Sequence, residues 1–274
     1  MKTNKIILSQ SFIKAMNHGM DIPELEDQKD VKCPAKAQAV YLHGYKSLPS
    51  EAMNYGNFLE TILWGATGDG EVATIPRKND GITKKVVQTR IEQQAYLLKN
   101  RWMKEMGMTD MVLHPTINVS LGERYVFRAR MDFYSSMVDG NEYHPRVIGD
   151  LKLTQSIHTT FGPFAWGAPQ TMDHTQAVAY SWAYAQKYKE WVPFYYVVLS
   201  HGKVGDYLKV RVMMDNLKVG EFKLAMSRTV DLIENYSASG KPWPKIPSDA
   251  NCKGCPIKNT CEMYRIGGRT VKVY

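Results

Sequence analysis

Residues 146–154 read RVIGDLKLT. Apolar residues dominate, and strand alternation puts Ile148, Asp150, Lys152 and Thr154 on one face. An acid and a base two residues apart on one face have two readings. One is an exposed ion pair. The other is half of a metal-dependent hydrolytic site, where a carboxylate holds a hard cation and an ammonium offsets charge developing on a phosphate. The surrounding sequence separates the two.

Upstream, ERYVFRARMDFY (123–134) alternates strictly. Tyr125, Phe127, Ala129, Met131 and Phe133 make an apolar face, with Arg128, Arg130 and Asp132 opposite. This predicts one half-buried strand through Phe133. Asp139-Gly140 in VDGNE supplies a turn, so Asp132 and Asp150 fall on adjacent antiparallel strands. Two carboxylates held together repel unless a cation lies between them, and oxygen ligands suit Mg²⁺ or Mn²⁺. The Leu151 carbonyl, between Asp150 and Lys152, is a further hard oxygen. The plainer alternative for Asp132 is pairing with Arg128 or Arg130 across the strand surface.

Further out, the N-terminal third reads as helical. In MNYGNFLETIL (53–63), Tyr55, Phe58, Leu59, Ile62 and Leu63 form an apolar stripe with Glu60 at its edge. A second helix is expected over about residues 84–106, after a flexible loop or turn, GATGDGEVAT. Downstream of the central stretch come a loop, FGPFAWGAPQT, and a helix starting near Asp173. There D-H-T-Q reads as a capping box ending at Gln176. PFYYVVLS predicts a buried central strand, YLKVRVMM an outer strand, and GEFKLAMSRTVDLIENY a long amphipathic helix. The order implies a mixed α/β fold.

The chain has 274 residues, 44% hydrophobic and 23% charged, an ordinary globular composition with enough length for a sizeable core. Without a run of about 18 apolar residues, a membrane span is not expected. Its start lacks the apolar stretch and small-residue cleavage site of a secretory leader, which points to the cytoplasm. A net charge of +8 favours a polyanionic partner. The four cysteines are Cys33, before Pro34, and Cys252, Cys255 and Cys261 in a C-x2-C-x5-C run. In a reducing compartment such a cluster reads as a metal site rather than disulfides. Four thiolates fit an iron–sulfur cluster, with zinc as the alternative.

Asp132 followed by Asp150-Leu151-Lys152 after a hairpin resembles the core of the PD-(D/E)xK nuclease superfamily. Gln176-x-x-x-Tyr180 resembles the QxxxY motif of its RecB-like branch. Gly56-Asn-Phe-Leu-Glu60 resembles that branch's GxxxH helix, with glutamate replacing histidine. The cysteine pattern, one before a proline near the N-terminus and three at the end, is similar to that of Cas4 and AddB-type nucleases. The motifs run in the family's order from residue 33 to 261.

The resemblance implies one nuclease domain over 1–274 with a restriction-endonuclease-like mixed sheet flanked by helices. Residues 1–110 would be mainly helical, 111–240 the core, and 241–274 a cysteine segment joined to the N-terminal part by a 4Fe–4S cluster. Glu60, Asp132, Asp150 and the Leu151 carbonyl would hold Mg²⁺ or Mn²⁺, and Lys152 would be the catalytic lysine. Gln176 and Tyr180 would face the active site or DNA. Ala129 stands where the family's GxxD has glycine. The implied activity is exonucleolytic hydrolysis of single-stranded DNA or DNA ends. An endonuclease or flap nuclease on the same fold, and a non-catalytic scaffold in a recombination or CRISPR-adaptation complex, remain alternatives. Phe161, Phe164 and Trp166 are candidates for stacking unpaired bases, or for burial against the core.

Overall fold

A computed structural model describes residues 5–17, 32–46, 49–75, 82–161, 164–246 and 248–261. Of the expected cysteine segment, 241–274, residues 247 and 262–274 lie outside these. In chain order the elements are β1 (Ile6–Leu8), α1 (Gln10–Asn17), α2 (Pro34–Ala37), α3 (Glu51–Trp64), α4 (Ile82–Leu97) and α5 (Met103–Glu105). Then come β2 (Val112–Leu113), β3 (Thr116–Leu121), β4 (Tyr125–Arg130), β5 (Phe133–Asp139) and β6 (Glu142–Thr154). The chain continues through α6 (Thr175–Tyr188), β7 (Phe194–Ser200), β8 (Tyr207–Val212), α7 (Asn216–Ala238) and α8 (Asp249–Cys252). Among the described residues no helix is long and apolar enough to cross a membrane.

These elements form two compact units. One comprises Ser50–Ile117 and Ala129–Asp215. Its five-stranded sheet has the order β2-β5-β6-β7-β8. β5 and β6 form the expected antiparallel hairpin, with Gly140 in the turn at φ +62°, a conformation that favours glycine. β6 and β7 are parallel, and β8 returns antiparallel along the edge. β7 is buried at every position, as its unbroken apolar run predicts.

One face of this sheet carries Phe133, Met137, Val147, Leu151, Tyr195, Val197 and Leu199 into a core shared with α3 and α4. Leu59 and Leu63 of α3 are buried there, with Tyr55, Phe58 and Ile62 packed beside them, so the stripe read from the sequence is the buried face. α3 starts at Ser50, whose side chain accepts from the Met53 N–H at 3.2 Å, an N-cap. α4 continues through a π-helical turn, Leu98–Trp102, into α5, and so covers the expected 84–106 span with one irregularity. The buried Gln94 of α4 donates to the Asp206 carbonyl at 2.9 Å and accepts from the Gly205 N–H at 3.1 Å, fixing the turn between β7 and β8.

The other unit comprises Met1–Pro49, Asn118–Arg128 and Asn216–Tyr274. Its sheet has the order β1-β4-β3, with β1 parallel to β4. β1 adds a strand to the N-terminal part, expected to be mainly helical: Ile6, Ile7 and Leu8 pair with Tyr125, Val126 and Phe127. α1 packs on α7, where Asn17 donates to the Ala225 carbonyl at 2.9 Å and to Thr229 Oγ1 at 2.7 Å.

The stretch 123–134 departs from its prediction. Tyr125, Phe127, Ala129, Met131 and Phe133 are all buried, so the faces are as read, but the strand is interrupted at Met131-Asp132. β4 lies in one sheet and β5 in the other. The interruption is held by backbone bonds from Met131 N to Pro115 O (3.1 Å) and from His114 N to Asp132 O (2.8 Å). Periodicity sees side-chain faces and is blind to where the backbone changes partners.

Two consequences are testable. Gly149 pairs with Phe133 across the hairpin, and a Cβ at residue 149 would stand 1.9 Å from the Phe133 ring. Gly149→Ala is therefore expected to destabilise the protein by about 1–3 kcal/mol in chemical denaturation, and Phe133→Leu should recover part of that loss. Asp139 bridges Lys209 Nζ (2.8 Å) and the Tyr195 hydroxyl (2.7 Å), which hold its carboxyl below the usual range. That stabilisation is present above the unfolded carboxylate pKa, about 4, and is lost as pH falls through the lower folded value. Asp139→Asn is expected to cost about 1 kcal/mol at neutral pH, with the gap from wild type closing on acidification.

Candidate active site

The parallel pair β6–β7 places Asp150 beside Tyr196 and Lys152 beside Val198. Asp150 is 1% exposed. Its Oδ1 accepts from Gln176 Nε2 at 2.8 Å, and its Oδ2 is in ion-pair contact with Lys152 Nζ. Gln176 Nε2 also lies 3.4 Å from the Tyr180 hydroxyl, one turn along α6. Lys152 Nζ sits 5.9 Å from the centre of the Tyr196 ring, so the ammonium is flanked by an aromatic face and a carboxylate.

Asp132 enters from the break before β5. The register Phe133↔Gly149 sets Asp132 level with Asp150, and its Oδ2 accepts from the Leu151 N–H at 2.6 Å. β5 has ended there, so the side chain takes the backbone donor that a longer strand would have used. The alternative reading, in which Asp132 pairs with Arg128 or Arg130, is not what forms. Arg128 donates to Asn118 Oδ1, and Arg130 to Asp69.

Glu60 comes from α3. Its Oε2 accepts from the Gly68 N–H at 3.1 Å. Arg130 donates to the Gly68 carbonyl at 3.3 Å, so the loop after α3 is held at one residue through both its N–H and its carbonyl. The glycine-rich stretch read as flexible is tied down here. Gly56, one turn before Glu60, has open space where a Cβ would lie, and the buried Ala129 is accommodated without glycine.

Electrostatically, the three acids share too little positive charge. Burial first, then Asp150, push the Asp132 carboxyl well above its usual range. Burial also raises Asp150, against the pull of Lys152, and raises Glu60 against the Gly68 N–H. Burial pulls Lys152 down, yet Asp150 and Asp132 outweigh it and hold its proton more firmly than usual. Lys152 is thus an ammonium at neutral pH, a donor and counter-charge rather than a base. Burial lifts Tyr180 to about 12, leaving a neutral phenol. A site crowded with buried oxygens is the donor chemistry of a hard divalent cation. Among the described residues, no three His, Cys, Asp or Glu side chains are arranged to hold a metal ion, and Lys152 is the counter-charge in contact with Asp150.

The structure therefore brings together Asp132, Asp150, Lys152, Gln176 and Tyr180, with Glu60 within electrostatic reach of Asp150 and Lys152. Gln176 does not close a capping box. α6 begins at Thr175 with His174 as N-cap, and Asp173 accepts from the Thr175 N–H and hydroxyl, which frees Gln176 to reach Asp150. Phe161 and Phe164 are exposed, whereas Trp166 is buried with its edge against Tyr196 and is withdrawn as a stacking surface. Sequence reading passed over Arg130 and Asp69 as site neighbours. The alternation that put Arg130 on the face of Asp132 was the available signal.

In the other unit, Cys33, Cys252, Cys255 and Cys261 are free thiols lining one small pocket with Ala35, Ile246 and Ile257. Cys33 Sγ accepts from the Ile246 N–H at 3.4 Å, and the Ala35 N–H donates to the Pro244 carbonyl at 3.1 Å. Residues 33–35 and 244–246 are therefore joined by hydrogen bonds. Burial, followed more weakly by Cys33 and Cys252, pushes the Cys255 thiol up.

No protein-family model matches the chain, and no curated protein matches it in sequence. Among solved structures, LHK-Exo in complex with dAMP aligns over 88% of this chain and 96% of its own, at 11% identity and a TM-score of 0.47, too distant to carry an argument. A candidate exonuclease from Eubacterium rectale aligns over 90% of this chain and 88% of its own, at 15% identity and a TM-score of 0.57. That likeness shows a shared fold.

Proposed function

We propose that the chain is a divalent-metal-dependent deoxyribonuclease of the Cas4/RecB-like kind, acting as an exonuclease on single-stranded DNA or DNA ends. The observation that carries this reading is the convergence of Glu60, Asp132 and Asp150 on Lys152, with Gln176 and Tyr180 beside them. Glu60, Asp132, Asp150 and the Leu151 carbonyl would hold Mg²⁺ or Mn²⁺, which when bound would acidify a water and neutralise charge on the phosphate. In an extended strand the N–H and C=O of one residue point to the same edge, so the Leu151 carbonyl is turned to the side where its N–H meets Asp132.

The remaining roles belong to the chain itself. Lys152 orients the attacking water by hydrogen bonding and offsets charge that develops on the phosphate. Gln176 fixes the Asp150 carboxylate through Oδ1, leaving Oδ2 to face Lys152. Tyr180, neutral at physiological pH, offers a hydroxyl to Gln176 or to a phosphate oxygen. Asp132 is aimed by the Leu151 N–H. The chain's net charge of +8 supports a polyanionic substrate.

End-labelled single-stranded DNA incubated with Mg²⁺ or Mn²⁺ is expected to be degraded, and covalently closed single-stranded circles to survive. Asp150→Ala and Lys152→Ala are each expected to lower the rate by at least about a hundredfold. Equal rates in wild type and variants would refute the assignment, and cleaved circles would turn it to an endonuclease. Tight DNA binding without turnover would favour the scaffold reading.

For the four cysteines we propose a 4Fe–4S cluster with a structural role, supported by their lining of one pocket. Protein purified without oxygen is expected to absorb at about 400 nm and to carry roughly four irons per chain. Cys33→Ala should lose the colour and melt at a lower temperature. Colourless protein with stoichiometric zinc would assign the site to zinc instead.

A further inference from the structure

Among the described residues, a positive group with access to solvent lies near the six site residues. Lys152 is engaged by Asp150. Arg130, the last residue of β4, has a side chain 45% exposed, and its guanidinium lies within electrostatic reach of Glu60 and Tyr180. It is taken up by Asp69 in the loop after α3. Nη1 meets Asp69 Oδ1, Nη2 lies 3.3 Å from Oδ2, and Nη1 reaches the Gly68 carbonyl at 3.3 Å. The Asp69 side chain is itself 66% exposed.

We propose that Arg130 binds a substrate phosphate at the rim of the carboxylate site, and that the Asp69 carboxylate occupies its guanidinium fork in the free protein. The proposal rests on the nuclease reading for its substrate class, a nucleic-acid phosphate. Three physical points support it. A guanidinium takes a carboxylate and a phosphate in the same two-pronged geometry, so the contact with Asp69 has the form that a phosphate contact would take. An ion pair this exposed contributes only about 0–1 kcal/mol, so exchanging Asp69 for phosphate costs little. Finally, Glu60, Asp132 and Asp150 repel an approaching phosphodiester, and a cation that remains on the solvent side is needed to draw one in.

A purely architectural Arg130 makes a different prediction. If the pair serves only to hold the loop, removing either partner has the same consequence. If Asp69 competes with phosphate, the two removals act in opposite directions.

The test is binding of a fluorescein-labelled oligothymidylate by anisotropy, in EDTA and over a salt series, so that no cleavage is involved. Arg130→Gln is expected to weaken binding about tenfold and to make the salt dependence shallower by about 0.7 in log–log slope. Arg130→Lys, which keeps charge but loses the fork, should fall between. Asp69→Asn is expected to tighten binding. Unchanged affinity in Arg130→Gln, weakened binding in Asp69→Asn, or no binding by wild type would overturn the proposal. Thermal melting shows which variants fold. If Arg130→Gln does not fold, Asp69→Asn decides, tightening in support and any other result against. Opposite effects in a protein that never cleaves DNA would retain Arg130 as a phosphate ligand and end the nuclease reading, while parallel effects in an active nuclease would do the reverse.

Discussion

A buried carboxylate on the central parallel pair of strands is the constraint from which the rest of the larger unit follows. Asp150 is almost wholly out of water, and its charge survives there only with partners. Lys152 supplies the counter-charge and Gln176 a hydrogen bond. Removing one member of such a pair strands the other, a loss of about 3–5 kcal/mol. The surrounding elements are placed accordingly. α6 must present Gln176 to β6, so it starts where Thr175 is capped and not two residues earlier. β5 must stop short, so that the Leu151 N–H is left for Asp132.

Two more acids stand against this pair, and burial raises the carboxyls of both. One ammonium serves three carboxylates. An apolar replacement of the group would fold more cheaply, since buried ion pairs seldom stabilise a protein relative to well-packed hydrophobic residues. Such a concentration of perturbed acids in one place is the signature of a functional site. Their shared deficit is of positive charge, and it is this deficit that supports the proposed divalent cation and phosphate chemistry. Arg130, beside the cluster and bonded to an exposed loop acid and to the Gly68 carbonyl, would extend the same electrostatic logic to an approaching phosphate.

Much of this was legible in the sequence. The period of two in RVIGDLKLT put Asp150 and Lys152 on one face, and the Asp139-Gly140 turn set the hairpin that brings Asp132 level with Asp150. The period of 3.6 in α3 identified its buried stripe and left Glu60 at the edge. What failed has physical causes. Alternation continued through Met131 and Asp132 because side-chain direction persists while the backbone switches sheets. The capping box at Asp173 is locally sound, but a long-range bond to a buried carboxylate outcompetes a local one for Gln176. Trp166 could not be told from its loop neighbours, since burial against Tyr196 is a tertiary fact. Asp69 lay in a glycine-rich stretch whose order comes from the nearby Glu60 and from Arg130, far away in sequence.

The most direct measurement of the central claim is crystallographic: an anomalous difference map at the manganese edge from crystals soaked in Mn²⁺. A peak within coordination distance of Glu60, Asp132 and Asp150 oxygens, with Lys152 displaced from direct contact with Asp150, is the predicted result. A map with no peak among these carboxylates at saturating Mn²⁺, and Lys152 still paired to Asp150, would contradict it.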